Sequence, residues 1–331
     1  MHFFSEYSLF LLKAVTVVIA ILIIIGGAAL IASFAKNKEK NGRLTVQKIN
    51  NKFNDYQKII GEITHTKAEK KQAKKNLKIT LKDQPKEKPR LFVLNFHGDI
   101  KASAVNSLRE EVTAVLLSRK NSDQVLICIE SPGGLVHSYG LAAAQIQRLK
   151  DANIKTLVAV DKVAASGGYL MACLADHLMA APFAIIGSVG VIAQLPNFHR
   201  WLEKNDIDYE QVFAGQYKRT LTLFGKNTPE GREKMQEELN DAHELFKEFI
   251  VKYRPQVSIN QIATGEHWFA SRALQLKLLD EIKTSDQYLQ SVKDQFDIYQ
   301  VKYEFKKTLS QRLGASASSC LNALWRLENG Y

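Results

Sequence analysis

The stretch Gln124-Val-Leu-Ile-Cys-Ile-Glu-Ser-Pro-Gly-Gly134 sets a short apolar run against a proline–glycine turn. A run of this length, ended by turn residues, is the pattern of a strand buried on both faces, as in parallel sheets. Working outward, two similar runs lie on either side, Leu91 to Phe96 and Thr156 to Val160. Helical patterns fill the intervals, Ala104 to Arg119 and Tyr139 to Lys150. Alternation of this kind predicts an α/β domain with a largely parallel sheet. A further strand is expected at Tyr209 to Phe213, and a long charged helix from Pro229 to about Tyr253, with proline in its favoured first position. The apolar stretch Leu178 to Leu195 is interrupted by Pro182, Gly187, Ser188 and Gly190, so buried strands and turns are expected there rather than a membrane span.

Before this domain the chain changes character twice. Ala14 to Ala35 holds 22 residues without a charge. At about 1.5 Å per helical residue this covers the roughly 30 Å of a bilayer core. Ser33-Phe34-Ala35 has the small-x-small form of a signal cleavage site. The run exceeds the usual h-region of about 7–15 residues, however, and only Lys13 precedes it, so an uncleaved transmembrane anchor is expected. Lys36 to Arg90 then carries 15 Lys and 2 Arg against 6 acidic residues, a surplus of 11 that equals the net charge of the whole chain. The remainder is neutral. A nucleic-acid footprint belongs on the folded domain that binds. Here the charge flanks the membrane, and nucleic acid is not expected as a partner. The expected layout is an N-terminal tail (1–13), an anchor (14–35), a basic stalk (36–90) with a helical stretch at Lys67 to Lys78, a folded domain (91–305) and a C-terminal tail (306–331). Cys128, Cys173 and Cys320 are too few and too scattered for a disulfide framework or a zinc site. No metal or cofactor is expected.

Three glycine motifs stand in order: Ser131-Pro-Gly-Gly134, Ala165-Ser-Gly-Gly-Tyr169 and Gly187-Ser-Val-Gly190. The second follows a strand and opens an apolar helix. A serine there, Ser166, sits in the positive end of the helix dipole, among backbone N–H groups that lack helical partners. Gly167 lets a substrate approach the backbone, and its N–H is a candidate oxyanion donor. The turn at Gly133 and Gly134 could supply another. Taken singly, Ser-Pro-Gly-Gly is a common turn and Ala-Ser-Gly-Gly a close helix–sheet contact. Two such turns after successive strands favour an oxyanion site.

A serine nucleophile needs a base. His97 and His137 flank the first motif and His177 lies one helix beyond Ser166, but none stands in a triad pattern. A lysine kept neutral by burial is the alternative, with Lys218 of Gly215-Gln-Tyr-Lys-Arg-Thr220 a candidate among 45 basic residues. Residues alone leave that choice open.

The ordered set Glu130-Ser-Pro-Gly-Gly134, Ala164-Ala-Ser-Gly-Gly-Tyr169, Gly187-Ser-Val-Gly-Val191 and Gly215-Gln-Tyr-Lys-Arg219 resembles the signal peptide peptidase A family of Ser–Lys peptidases. The resemblance covers roughly residues 91 to 300, and anchor and stalk match the layout of the family's single-domain form. Thr264-Gly-Glu-His-Trp-Phe-Ala270 also resembles the segment after the family's lysine, although His267-Trp268 stands where members vary. The resemblance implies a ClpP/crotonase-like spiral of strand-strand-helix units. It implies Ser166 as nucleophile, Lys218 as general base and Ser188 as the residue that orients the lysine. Gly133 and Gly167 become the oxyanion donors. ClpP-type peptidases place a base histidine in the strand region after the nucleophile, and Ala180 to Phe198 contains none.

The expected activity is peptide hydrolysis through an acyl-enzyme, on membrane-derived peptides with small or apolar side chains near the cut. Expected partners are peptide substrates, the bilayer and further copies of the chain in a ring. The lysines after the anchor favour a cytoplasmic domain by the positive-inside rule, and the resemblance favours the periplasmic face of a bacterial inner membrane. We expect the periplasmic face. Two rival functions are a crotonase-type acyl-CoA enzyme, in which Ser166 and Lys218 would be incidental, and a catalytically silent membrane scaffold.

Overall fold

The computed structural model describes residues 11–13, 15–18, 20, 42–72 and 88–305. The anchor expected at Ala14 to Ala35 and the C-terminal tail therefore lie largely outside the described residues. Among the described residues no helix is long and apolar enough to cross a membrane. The chain divides into two compact units, Leu44–Tyr303 and the two ends Met1–Arg43 with Glu304–Tyr331. The larger unit, Leu44–Tyr303, holds every candidate site residue.

Its frame is the parallel sheet expected from sequence. Strands β1 (Gly42–Lys48), β2 (Arg90–His97), β3 (Gln124–Glu130), β4 (Lys155–Val160), β6 (His177–Ala180), β9 (Glu281–Ile282) and β10 (Asp297–Phe305) form a seven-stranded sheet in the order β1-β10-β2-β3-β4-β6-β9. From β10 across to β9 each strand pairs with the next in parallel. Side chains alternate between its faces. Phe92, Leu94, Phe96, Val125, Ile127 and Ile129 enter one core. Leu91, Val93, Leu126, Leu157 and Met179 enter the other. The first core is covered by α2 (Val105–Ser118) and α3 (Val136–Asp151). In α2 the buried Val105, Leu108, Val112 and Val115 recur at helical spacing and make one apolar face. The second is approached by Phe53 of α1 (Asn50–Thr64) and closed by Leu289 of α9 (Ser285–Val292).

A second sheet, small and mixed, sits at the end of β3. In it β5 (Val163–Ala165) pairs in parallel with β7 (Ile185–Gly187), and β7 pairs antiparallel with β8 (His267–Phe269). A single parallel bridge, Ser131 to Ala164, ties this sheet to the turn after β3. Short helices occupy the connections: α4 (Gly167–Ala172), α5 (His199–Lys204), α7 (Ile259–Ile262) and α8 (Ala270–Ala273).

Two expectations change. The segment expected to be a stalk contributes β1 and α1 to the folded unit. Asn50 there holds the carbonyls of Lys293 and Phe296 and accepts from the Ile298 N–H. Its lysines hid this, because a polar edge strand and a mostly exposed helix carry little apolar signal. Tyr209 to Phe213 is irregular, not a strand. Its apolar residues Tyr209, Val212 and Phe213 find no partner strand among the described residues. The long helix is α6, Pro229–Tyr253, with the Thr228 side chain accepting from the Gly231 N–H as its cap. Of the stretch Lys67 to Lys78, residues 67–72 are helical and the rest lie outside the described residues.

Glu111, on α2, is 3% exposed, and its Oε1 accepts from the Tyr303 N–H at 2.8 Å. Its Oε2 has no partner among the described residues. Burial pushes this carboxyl up to about 7. A folded value above the unfolded one means that stability falls as pH rises from the ordinary carboxylate range through about 7. Glu111→Gln keeps the acceptor and removes the charge. It is expected to stabilise the protein by about 2 kcal/mol above pH ~8 and by little near pH ~4.5. Urea titrations at the two pH values check this, and an equal effect at both would remove ionisation as the cause.

Candidate active site

The candidate residues other than Lys218 collect where β3, β5 and β7 end. Ser166 links β5 to α4, with φ 51° and ψ −120°. A non-glycine residue with positive φ is strained, and such strain is held only where the surroundings over-determine it. Here they do. The Ser166 N–H donates to the Gly187 carbonyl at 2.8 Å, and the Ser166 carbonyl accepts from the Leu170 N–H at 2.9 Å. Ser166 is half-buried, and its hydroxyl has no hydrogen bond among the described residues.

Ser188 directly follows the residue whose carbonyl holds Ser166. It too has positive φ, 54°, and its N–H donates to the Glu266 carbonyl at 2.6 Å. Gly187 before it has φ 106°, and a Cβ there would lie 2.8 Å from the Trp268 ring. The departure at His267-Trp268 thus backs the turn that carries Ser188.

Gly133 packs against the nucleophile's turn from the other side. A Cβ on it would fall 2.7 Å from both Ser166 Cβ and the Gly167 nitrogen, at φ 90°. Only glycine fits there. Its N–H donates to the Ser131 hydroxyl at 3.1 Å, which turns it inward. The N–H groups of Gly134 and Gly167 have no acceptor among the described residues, and Gly134 is exposed where Gly133 is buried. Gly133 and Gly167 thus lie against Ser166, and Gly134 follows directly in the same turn, packed on the Ile100 backbone.

Lys218 lies in the irregular segment that precedes α6. It ends a turn closed by its own N–H to the Gly215 carbonyl at 3.1 Å, and its side chain is exposed. Among the described residues no hydrogen bond joins Lys218 to Ser166 or Ser188. Three histidines are engaged with carboxylates outside these turns: His97 faces Glu130, His177 pairs with Glu281 at 3.0 Å, and His199 faces Glu203. Burial pushes the Cys128 and Cys173 thiols up to about 12, which makes neither a ready nucleophile. Among the described residues no cluster of His, Cys, Asp or Glu could hold a metal.

Sequence reasoning missed Tyr139, whose fully buried ring lies against Gly167 and whose hydroxyl meets Ser131. Its place eight residues after Ser131 is visible in the sequence, but nothing local marks that the helix turns it back toward the site.

Residues 148–299 match the family described as Peptidase family S49, and residues 2–146 match its N-terminal region. The "Probable protease SohB" of Haemophilus influenzae is 44% identical over 97% of this chain and 95% of its own length. The "Probable protease SohB" of Buchnera aphidicola subsp. Schlechtendalia chinensis is 44% identical over 87% of this chain and 99% of its own length. "Protease 4" of Haemophilus influenzae is 24% identical over 58% of this chain and 32% of its own length.

Proposed function

The chain belongs to peptidase family S49, and on that premise we propose that it is a membrane-anchored serine endopeptidase with Ser166 as nucleophile and Lys218 as general base. The observation that carries this reading is the setting of Ser166. It is a strained serine at a helix start, its hydroxyl is without a partner among the described residues, and the next backbone N–H, that of Gly167, has no acceptor among them. That arrangement suits acyl transfer, where a serine attacks a carbonyl and donors meet the developing oxyanion.

In the proposed reaction Ser166 Oγ attacks the scissile carbonyl and its proton passes to neutral Lys218. The oxyanion is met by the Gly167 and Gly134 N–H groups. Collapse expels the amine, which takes the proton from Lys218, and water then hydrolyses the ester by the same base. Gly133 shapes the turn rather than donating, and Ser188 orients the lysine. Peptides would lie extended beside Ser131 to Gly134, backbone to backbone. Membrane-derived peptides are the proposed substrates.

A lysine serves as base near neutral pH where burial disfavours its charged form. Residues 192–217, which precede Lys218 in the chain, offer surface for such burial. Ile192, Trp201, Val212, Phe213 and Tyr217 are all at least half exposed, Val212 at 97%. Apolar exposure on this scale marks an interaction surface. A homo-oligomer that closes over it would bury Lys218. The uncharged run Ala14 to Ala35 supports a single-pass anchor in the bacterial inner membrane, and the family resemblance, against the charge of the flanking lysines, favours the periplasmic side for the catalytic domain.

One reagent tests these statements together. A tagged alkyl fluorophosphonate is expected to label the full-length chain in membranes, with the adduct on Ser166 and no labelling of Ser166→Ala. Protease added to spheroplasts is expected to remove the labelled domain. An unlabelled but folded wild-type protein would overturn the peptidase reading, and a labelled domain protected in spheroplasts would place it in the cytoplasm.

A further inference from the structure

The turn bearing Gly134 is held by a chain of hydrogen bonds with a fixed direction. Tyr139 Oη lies 2.8 Å from the Asp99 carbonyl and 2.5 Å from Ser131 Oγ. A carbonyl only accepts, so the single tyrosine proton goes to Asp99. Ser131 must then donate its own proton to Tyr139, and its lone pair is left to accept the Gly133 N–H at 3.1 Å. The result is one directed line: Gly133 N–H to Ser131, Ser131 to Tyr139, Tyr139 to the loop at Asp99. Ser131 and Tyr139 are both fully buried, so each lost link leaves a polar group without water to replace it.

The same tyrosine touches the other donor. A Cβ on Gly167 would collide with Tyr139 Cγ and lie 2.7 Å from its Cβ. The ring is set edge-on to Phe96, with centroids 6.3 Å apart. The line is also tightly enclosed: a Cβ on Gly98 would collide with both Ser131 Oγ and Tyr139 Oη, and one on Gly134 with the Ile100 carbonyl. Tyr139 thus meets the Gly134 turn through its hydroxyl and Gly167 through its ring.

We propose that Tyr139 is a positioning residue that fixes the spacing between the Gly134 and Gly167 N–H groups, with Ser131 as its link to the first. This rests on the peptidase reading. The hydroxyl sets the Gly134 arm by orienting Ser131, and the ring sets the Gly167 arm by contact. Neither touches substrate.

Tyr139→Phe keeps the ring and removes the link. Complete loss of an oxyanion donor costs about 10²- to 10³-fold in kcat, and a donor left in place but loosened costs less, on the order of tenfold. The full-length protein assayed with a quenched fluorescent peptide is expected to show that fall in kcat with KM within about twofold and an unmoved pH profile. A merely structural role would change the melting temperature without this split. Ser131→Ala is expected to lose a similar amount, and the double variant no more than the larger single loss, because both cut one line. Should Tyr139→Phe fail to fold, Ser131→Ala carries the same test. Full kcat in the folded variants, or losses that multiply in the double variant, would overturn the proposal while an active wild type keeps the peptidase reading. A wild type that neither cleaves peptide nor takes the fluorophosphonate would overturn both.

Discussion

Lys218→Ala is expected to lower kcat for peptide hydrolysis by about 10³- to 10⁴-fold while leaving the fold intact. General base catalysis contributes roughly 10²–10⁴ where it acts alone. Here the same group would serve both acylation and deacylation. No histidine is hydrogen-bonded to Ser166 among the described residues, so no nearby group is placed to substitute. Lys218 is exposed and its side chain makes no hydrogen bond among the described residues, so the loss cannot come from unfolding. Lys218→Arg sharpens the test. A guanidinium keeps the charge and much of the reach but cannot give up its proton, so the arginine variant should be as inactive as the alanine one. Ser166→Ala should lose more, on the order of 10⁵- to 10⁶-fold, since no acyl-enzyme can form. Single-turnover kinetics on the three variants decide the matter. A Lys218→Ala protein that retains a tenth of wild-type kcat would remove this lysine from the mechanism.

Arg254→Ala is expected to destabilise the folded unit by about 1–3 kcal/mol at neutral pH. Arg254 follows the last turn of α6 and is 2% exposed. Its guanidinium grips the Asp280 carboxylate with two bonds of 2.8 Å and reaches the Lys277 carbonyl at 3.2 Å. Asp280 in turn accepts from the Leu178 N–H at 2.7 Å. One planar fork therefore pins α6 to the loop before β9 and to β6. Alanine would leave a carboxylate in a site that no longer neutralises it. Burial alone would raise the Asp280 carboxyl, but the Arg254 fork and the Leu178 N–H outweigh it and hold the group below the ordinary carboxylate range. A folded value below the unfolded one gives stability that is present above the unfolded value and lost as pH falls through the folded one. The gap between variant and wild type should accordingly narrow below about pH 4. Denaturant titrations at neutral and acid pH measure it. A loss under about 1 kcal/mol at neutral pH would mean that water enters and solvates Asp280.

What could be read from residues alone follows the range of the forces involved. Strands β2, β3 and β4 and helices α2, α3 and α6 carry their own periodicity, and each stands within a few residues of its expected bounds. The place of Ser166 between a strand and a helix could be read for the same reason, since a helix start after a strand is a local feature. The partners of β1 and β10 could not, because their pairing joins residues some 250 positions apart and leaves no trace in either segment. Tyr209 to Phe213 has strand-like composition without a strand to meet, so composition misleads there. The exposure of Lys218 is invisible to sequence, since 45 basic residues look alike until the chain is folded. Tyr139 was hidden in plain view. Its role depends on Gly98, Asp99 and Ser131, which arrive from separate turns.

The sheet order has a consequence in time. Strand β10 lies between β1 and β2, so the first strand of the unit can join the sheet only after the last one has been made. At about 5–20 residues per second, a chain waits some ten seconds or more between the two. Through that interval β2, β3, β4 and β6 can assemble while β1 has no neighbour, and such long-range pairing is slow in any case. The N-terminal end of the nascent protein therefore stays unlatched until synthesis is nearly complete.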